Sequence, residues 1–411
     1  MNILIISGRT ARHPWSAGAL VARACHALAA KGHTLTLAAQ SIDDESLFSS
    51  CSRLLAFDSF DQTATDWPFG FASWAAKRRR DTPHDICLSF SRVIAGDVWL
   101  PLEPSGSSWL ARVRRTHSPK SLAIAVARHH GALRALASDA FFGGPPDAAR
   151  SPAPRIIATG GTSAGEASRT LHRVRGLGDR VVRVDLFSMI DPPAPDQLAP
   201  LRRHTRKTLR IPDHRRVLLI SAPGPVGATL DGLLTAIADL ARRTSDRAPL
   251  ALILAKDSFA LHARALRASA ADHARIIGLT HRMDAALAAA DAVALPHKAE
   301  RGIFDSGALA RLAADALRFS KPILALSGAP GYGAARLRSS QQDSPGLVVD
   351  YPTAETWSRA IRTISDDGWL ERASTAAAEL GAGLTFTHFA DRLESVLTET
   401  AAERAEEMGQ T

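Results

Sequence analysis

Short apolar runs recur along this chain, each closing in a polar or glycine-rich loop. Each is followed by a longer stretch whose apolar positions return every three or four residues. In the first half the runs are Met1–Ser7, His33–Ala38, Leu54–Phe57, Ile86–Phe90, Arg155–Thr159 and Val181–Leu186. In the second they are Arg216–Ser221, Leu250–Ala255, Arg275–Leu279, Ala292–Leu295, Pro322–Leu326 and Gly346–Val349. Helical spacing fills the intervals. Leu20, Val21, Ala24, Cys25 and Leu28 make one face of a helix that opens at Ala17-Gly18 and stops at Lys31-Gly32, with glycine past the last turn. The same spacing predicts helices over Ser121–Ala137, Ser163–Arg173, Gln197–Leu209, Leu230–Arg242 and Phe386–Arg404. Strand alternating with helix through both halves predicts an α/β protein of two doubly wound domains facing a cleft.

The densest such unit runs from Ala285 to Leu326 as helix, strand, polar loop, helix and strand. The loop beyond Pro296 carries His297, Lys298, Glu300, Arg301, Asp305 and Ser306. Leu309, Leu312, Ala313, Ala316 and Leu317 then recur on one helical face. Open parallel sheets bind ligands beyond the carboxyl ends of their strands, so this loop is where a ligand is expected.

Length fixes the number of domains. At 411 residues the chain exceeds one ordinary core. The stiff run Asp191-Pro192-Pro193-Ala194-Pro195 marks a boundary: a first domain over 1–195, a second over 196–385, and a terminal helix and tail over 386–411. A hydrophobic content of 45% with 22% charged residues is that of a globular protein. No apolar run approaches the ~20 residues that a membrane span needs. MNILIISGRT starts directly as a strand and does not read as a signal peptide. Cys25, Cys51 and Cys87 are too few and too far apart for a disulfide framework or a zinc site, which suits a reducing cytoplasm.

A net charge of +9 favours anionic partners: nucleotides, lipid headgroups or nucleic acid. Arginines spread over a solvated surface would give the same total. No zinc-finger, RNA-binding or basic-zipper pattern is present, which puts nucleic acid behind the others. Lys77-Arg78-Arg79-Arg80, beside Trp67, Phe69, Phe71 and Trp74, offers a peripheral contact with an anionic membrane face, or else a solvated helix end.

Several segments together resemble the family-4 glycosyltransferases of the GT-B class, above all the lipopolysaccharide-core glucosyltransferases. They are Ala17-Gly18 with Gly32-His33, Ser91-Arg92 followed by Asp97-Val98-Trp99, and a linker and basic helix leading to Ile211-Pro212-Asp213. To these add Asp291, Pro296, Asp315 and Lys321-Pro322. The resemblance implies a GT-B fold with an acceptor domain, a nucleotide-sugar domain and a C-terminal helix crossing back to the first. It implies retaining, metal-independent transfer of a hexose, without a cofactor. The donor would be UDP- or GDP-linked and the acceptor an envelope glycolipid or polysaccharide precursor at the cytoplasmic face of the membrane. Under it Arg92 would hold the acceptor, and Lys256 or Arg282 the diphosphate. Gly18, Gly224 and Gly227 would bring backbone N–H groups to phosphate, Glu300 and Ser306 would line the donor loop, and Asp315 would hold the ribose. Two positions depart from the family pattern. Pro223-Gly224-Pro225-Val226-Gly227 stands where an arginine and a lysine usually sit, and Gly307 stands in the register of the first of two glutamates. They support a second reading, a GT-B scaffold or interaction protein without catalysis.

Overall fold

The computed structural model describes residues 1–10, 17–57, 67–91, 96–100, 155–159, 180–184, 187–222, 228–244, 248–255, 258–278, 282–296, 306–327, 329 and 344–409. The helices expected over Ser121–Ala137 and Ser163–Arg173 lie outside them. The chain divides into two units, Met1–Asp185 with Thr387–Thr411, and Leu186–Phe386.

The first unit is built on β1 (Asn2–Thr10), α1 (Ala17–Ala30), β2 (Thr34–Ile42), β3 (Arg53–Ala56), α2 (Trp67–Asp81), β4 (Ile86–Ser89), β5 (Val98–Trp99), β6 (Arg155–Thr159) and β7 (Val181–Val184). The strands form one sheet in the order β3-β2-β1-β4-β5-β6-β7, parallel throughout. Ile3–Ile6, Leu35, Leu37 and Ile86–Leu88 are buried, because strands covered on both faces carry unbroken apolar runs. Gly32, at φ +84, supplies the left-handed turn that ends α1.

Strand β5 has no counterpart in the apolar pattern, since two residues show no period. It is set by its neighbours. The Asp97 amide donates to the Cys87 carbonyl (2.8 Å), and the Cys87 amide donates to Asp97 Oδ2 (2.7 Å). Gly96 permits that approach, because a Cβ there would collide with the Cys87 carbonyl oxygen. Helix α2 turns its aromatics inward: Phe71 is fully buried, with Phe57 and Trp74 5.8 and 5.9 Å away between ring centroids. The Arg78 guanidinium lies over the Trp74 ring, and Arg79 pairs with Asp97. Of the basic run, Lys77 and Arg80 are exposed, while Arg78 and Arg79 are half-buried.

The second unit contains α3 (Pro195–Thr208), β8 (Val217–Ala222), α4 (Ala228–Thr244), β9 (Leu250–Ala255), α5 (Ser258–Arg267), β10 (Ala274–Gly278) and α6 (Met283–Ala289). It continues with β11 (Ala292–Leu295), α7 (Ser306–Arg318), β12 (Ile323–Leu326), β13 (Gly346–Val349), α8 (Ala354–Ile364) and α9 (Asp367–Ala382). Its sheet runs β10-β9-β8-β11-β12-β13, again all parallel. Leu218, Ile220, Leu233, Leu234, Ile237 and the enclosed indole of Trp357 form one cluster on this sheet.

The last helix, α10 (Phe386–Gly409), passes from the second unit into the first. Leu393, Val396 and Leu397 are its buried face. Charge fixes its length against the first unit: Lys31 meets Asp391 (2.7 Å) and Glu394 (2.6 Å), and Arg155 meets Glu399 (2.8 Å) and Glu403. Arg404 reaches Asp97, joining the residue that already holds Arg79.

Candidate functional site

In the second sheet the strand order reverses between β8 and β11, which pair with Leu218 beside Ala292 and Ile220 beside Ala294. Both strands therefore end side by side at their carboxyl ends, the position at which doubly wound sheets take ligands. Residues 223–227 and 297–305, which follow them, lie outside the described residues, and with them Gly224, Gly227 and Glu300, as do Lys256 after β9 and Arg92 after β4. Ser306 is the first residue of α7. Arg282 precedes α6 on the same side of the sheet, 75% exposed, and pairs with Asp284 (2.5 Å), whose carboxylate raises its guanidinium pKa. In the first unit, Gly18 is buried in the opening turn of α1.

Helix α7 buries Leu312, Ala313, Ala316 and Leu317, the face its periodicity gave, and with them Asp315. The Asp315 carboxylate is completely enclosed. Its Oδ1 accepts from the Ser188 hydroxyl (2.6 Å) and the Met189 amide (2.7 Å), while Oδ2 is buried without a partner. Burial pushes this carboxyl up to about 6, against the pull of those donors and of the Arg311 charge. The carboxylate therefore presents no surface to solvent. The aspartate side chain is one methylene shorter than the glutamate expected there, and it ends within the packing layer. It ties α7 to the segment by which the chain enters the unit, where the Ser188 amide also donates to the Leu384 carbonyl (2.8 Å).

Asp291 sits at the other end of the sheet, just before β11. Arg202 (2.7 Å) and Arg206 (2.8 Å) hold its two oxygens, the Val217 amide donates to Oδ2 (2.8 Å), and Arg216 stands at 3.7 Å. Arg206 is 2% exposed and also donates to the carbonyls of Ala289, Asp213 and Arg215. Arg202 caps the end of α6 through the carbonyls of Ala288, Ala289 and Ala290. Lys321, two residues before β12, is lowered to about 8, by burial first and then by the charge of Arg202. The basic helix α3 thus spends two arginines on internal structure. Sequence reasoning had placed Asp291 in the family register but missed its partners; the four-residue spacing of Arg202 and Arg206, which puts them on one face of a helix, was the available signal.

Among the described residues no group of three or more histidine, cysteine, aspartate or glutamate side chains is placed to hold a metal ion. Nor is any helix among them long and apolar enough to cross a membrane.

No family model matches the sequence, and no curated protein matches it either. Solved structures match the fold at low identity. WaaG, a glycosyltransferase involved in lipopolysaccharide biosynthesis, superposes with a TM-score of 0.70 at 13% identity, over 97% of this chain and 100% of that one. Anabaena Alr3699/HepE in complex with UDP and glucose gives 0.64 at 13%, over 97% and 100%. The catalytic domain of Arabidopsis thaliana starch synthase IV bound to ADP and acarbose gives 0.56 at 11%, over 97% and 99%. The chain has the GT-B fold.

Proposed function

We propose that this GT-B chain is a retaining, metal-independent glycosyltransferase that draws a hexose from a UDP- or GDP-linked donor. Residues 1–195 would take the acceptor, an envelope glycolipid or polysaccharide precursor, and 196–385 the donor. The observation that carries the reading is the shared fold over 97% of the chain, joined to the reversal of strand order at β8 and β11. A relative in fold is involved in lipopolysaccharide biosynthesis, and another has been solved with UDP-glucose. In the transfer, the bond from the anomeric carbon to the diphosphate breaks and one to the acceptor oxygen forms on the same face. The acceptor proton leaves on the diphosphate. Such catalysis rests on positioning and on neutralising the leaving group. Lys256 and Arg282 supply cations for the diphosphate, and Gly18, Gly224 and Gly227 supply backbone N–H groups. Arg92 positions the acceptor, and Glu300 and Ser306 line the sugar. Asp315 acts one layer behind, holding α7 in place. Cytoplasmic work at the membrane surface would use Lys77 and Arg80.

One observation favours a second reading, a non-catalytic scaffold: the loop Pro223–Gly227 carries no cation. Thermal unfolding against a panel of nucleotide diphosphates and nucleotide sugars separates the two. A ligand at 100 times its dissociation constant adds about 2.7 kcal/mol of stability. A selective shift that Lys256→Ala removes supports the transferase. A flat response at millimolar ligand moves the assignment to the scaffold.

A further inference from the structure

The cations gathered at Asp291 exceed what one carboxylate can hold. Arg206 (2.8 Å) and the Val217 amide (2.8 Å) fill its Oδ2, while Arg202 (2.7 Å) and Arg216 (3.7 Å) come to the same oxygen, Oδ1. Two guanidiniums on one oxygen are neighbours, and like charges so placed repel. A fourth cation arrives from the next strand. Strands β11 and β12 are paired, with the Val293 amide donating to the Pro322 carbonyl (2.9 Å), which sets Lys321 beside the start of β11. Its backbone is fixed by the cap of α7: Ser320 takes the left-handed φ of +56, and the Lys321 amide donates back to the Ala316 carbonyl (2.8 Å). In such a cap the residue after the left-handed one commonly packs an apolar side chain on the helix, and here it is a lysine. Among the described residues the Lys321 ammonium makes no hydrogen bond and no ion pair.

We propose that Arg202, Arg216 and Lys321 form a binding site for a phosphate-type oxyanion, free or carried as a phosphomonoester. It lies at the end of the second sheet where β11 and β12 begin. The side chains of Arg202 and Arg216 are 30% and 34% exposed and Lys321 is half-buried, so an anion reaches them from water. Arg206, enclosed, stays with Asp291. Two planar guanidiniums and an ammonium offer N–H donors to a tetrahedral ion that carries two charges and several open oxygens. Two further carboxylates act on the cluster, Asp367 on Arg216 and Asp213 on Arg206. Both are exposed, so water screens them and they neutralise little. The downward shift of Lys321, by burial and then by the Arg202 charge, has the sign that surplus positive charge gives. Nothing in this depends on a donor site.

The test is thermal unfolding of the full chain at neutral pH against inorganic phosphate, glycerol phosphate and, at matched ionic strength, sodium chloride. Phosphate at about ten times its dissociation constant should raise the midpoint by roughly 3–5 °C. The shift should vanish in Lys321→Gln and shrink in Arg216→Gln, two variants that leave the Arg206–Asp291 pair in place. It should persist in Lys256→Ala, which bears on the donor reading alone. A larger shift with glycerol phosphate names a phosphomonoester as the occupant, and an equal or smaller one names free phosphate. An equal rise with chloride would be screening alone. That result, no shift at millimolar phosphate, or a phosphate response that Lys321→Gln keeps would each overturn the proposal.

Discussion

Asp291 and Asp315 flank the same β11–α7 unit and are treated in opposite ways. Asp291 has more positive charge than it can use: two guanidiniums in contact, a third at 3.7 Å and a backbone amide. Asp315 has too little, with two neutral donors on one oxygen and none on the other. The first is a fixed joint at the end of the sheet where β11 begins. The second is a charge held in apolar packing on the helix that opens at Ser306. A buried carboxylate at a family position is therefore not one kind of thing, and its partners decide what it does.

Removing the well-supplied carboxylate should cost most. Asp291→Ala leaves Arg206 buried without its ion partner, a loss of about 3–5 kcal/mol. Urea unfolding should show it, with amide exchange rising first along β8 and β11. A change below ~1 kcal/mol would mean the arginine carbonyl bonds carry the joint alone.

Asp315 should respond to pH in the reverse of the usual carboxylate sense. The folded carboxyl keeps its proton up to about 6, while the unfolded one releases it near 3.8. Stability contributed by this group therefore falls as pH rises between those values, and the penalty is fully present above them. Asp315→Asn should gain on the order of 3 kcal/mol at pH 7.5 and nothing below pH ~4. An equal effect at both pH values would dissolve the contrast.

Lys321 tests the other side. Its folded value of about 8 lies below the ordinary 10.5, so its penalty is present below pH 8 and vanishes as pH rises toward 10.5. With its half-open side in water, Lys321→Gln should gain roughly 1–2 kcal/mol at pH 7. Stability curves at pH 7 and pH 10.5 measure it. Smallest is Arg202→Ala, which leaves Arg206 on Asp291 and should cost about 1 kcal/mol. A cost equal to that of Asp291→Ala would make Arg202, rather than the enclosed Arg206, the main anchor.

The fold was legible because parallel strands buried on both faces write continuous apolar runs, and the helices between them keep a 3.6-residue period. Strand β5 was not, since its two residues are placed by Gly96 and Asp97 rather than by hydrophobicity. The loops after β8 and β11 follow from strand order alone, but partners distant in sequence do not. Ser188 for Asp315 and Arg206 for Asp291 come together through tertiary packing. In α2, Phe71 and Trp74 pack into a core.

The ends of the second unit are stitched to each other. The Ser188 amide meets the Leu384 carbonyl at 2.8 Å, and the rings of Phe187 and Phe386 sit 5.6 Å apart, edge to face. A module whose entry and exit adjoin is, topologically, a cassette inserted into a host whose own two ends lie elsewhere. Residues 186–386 expressed alone are accordingly expected to fold, which a cooperative thermal transition would check.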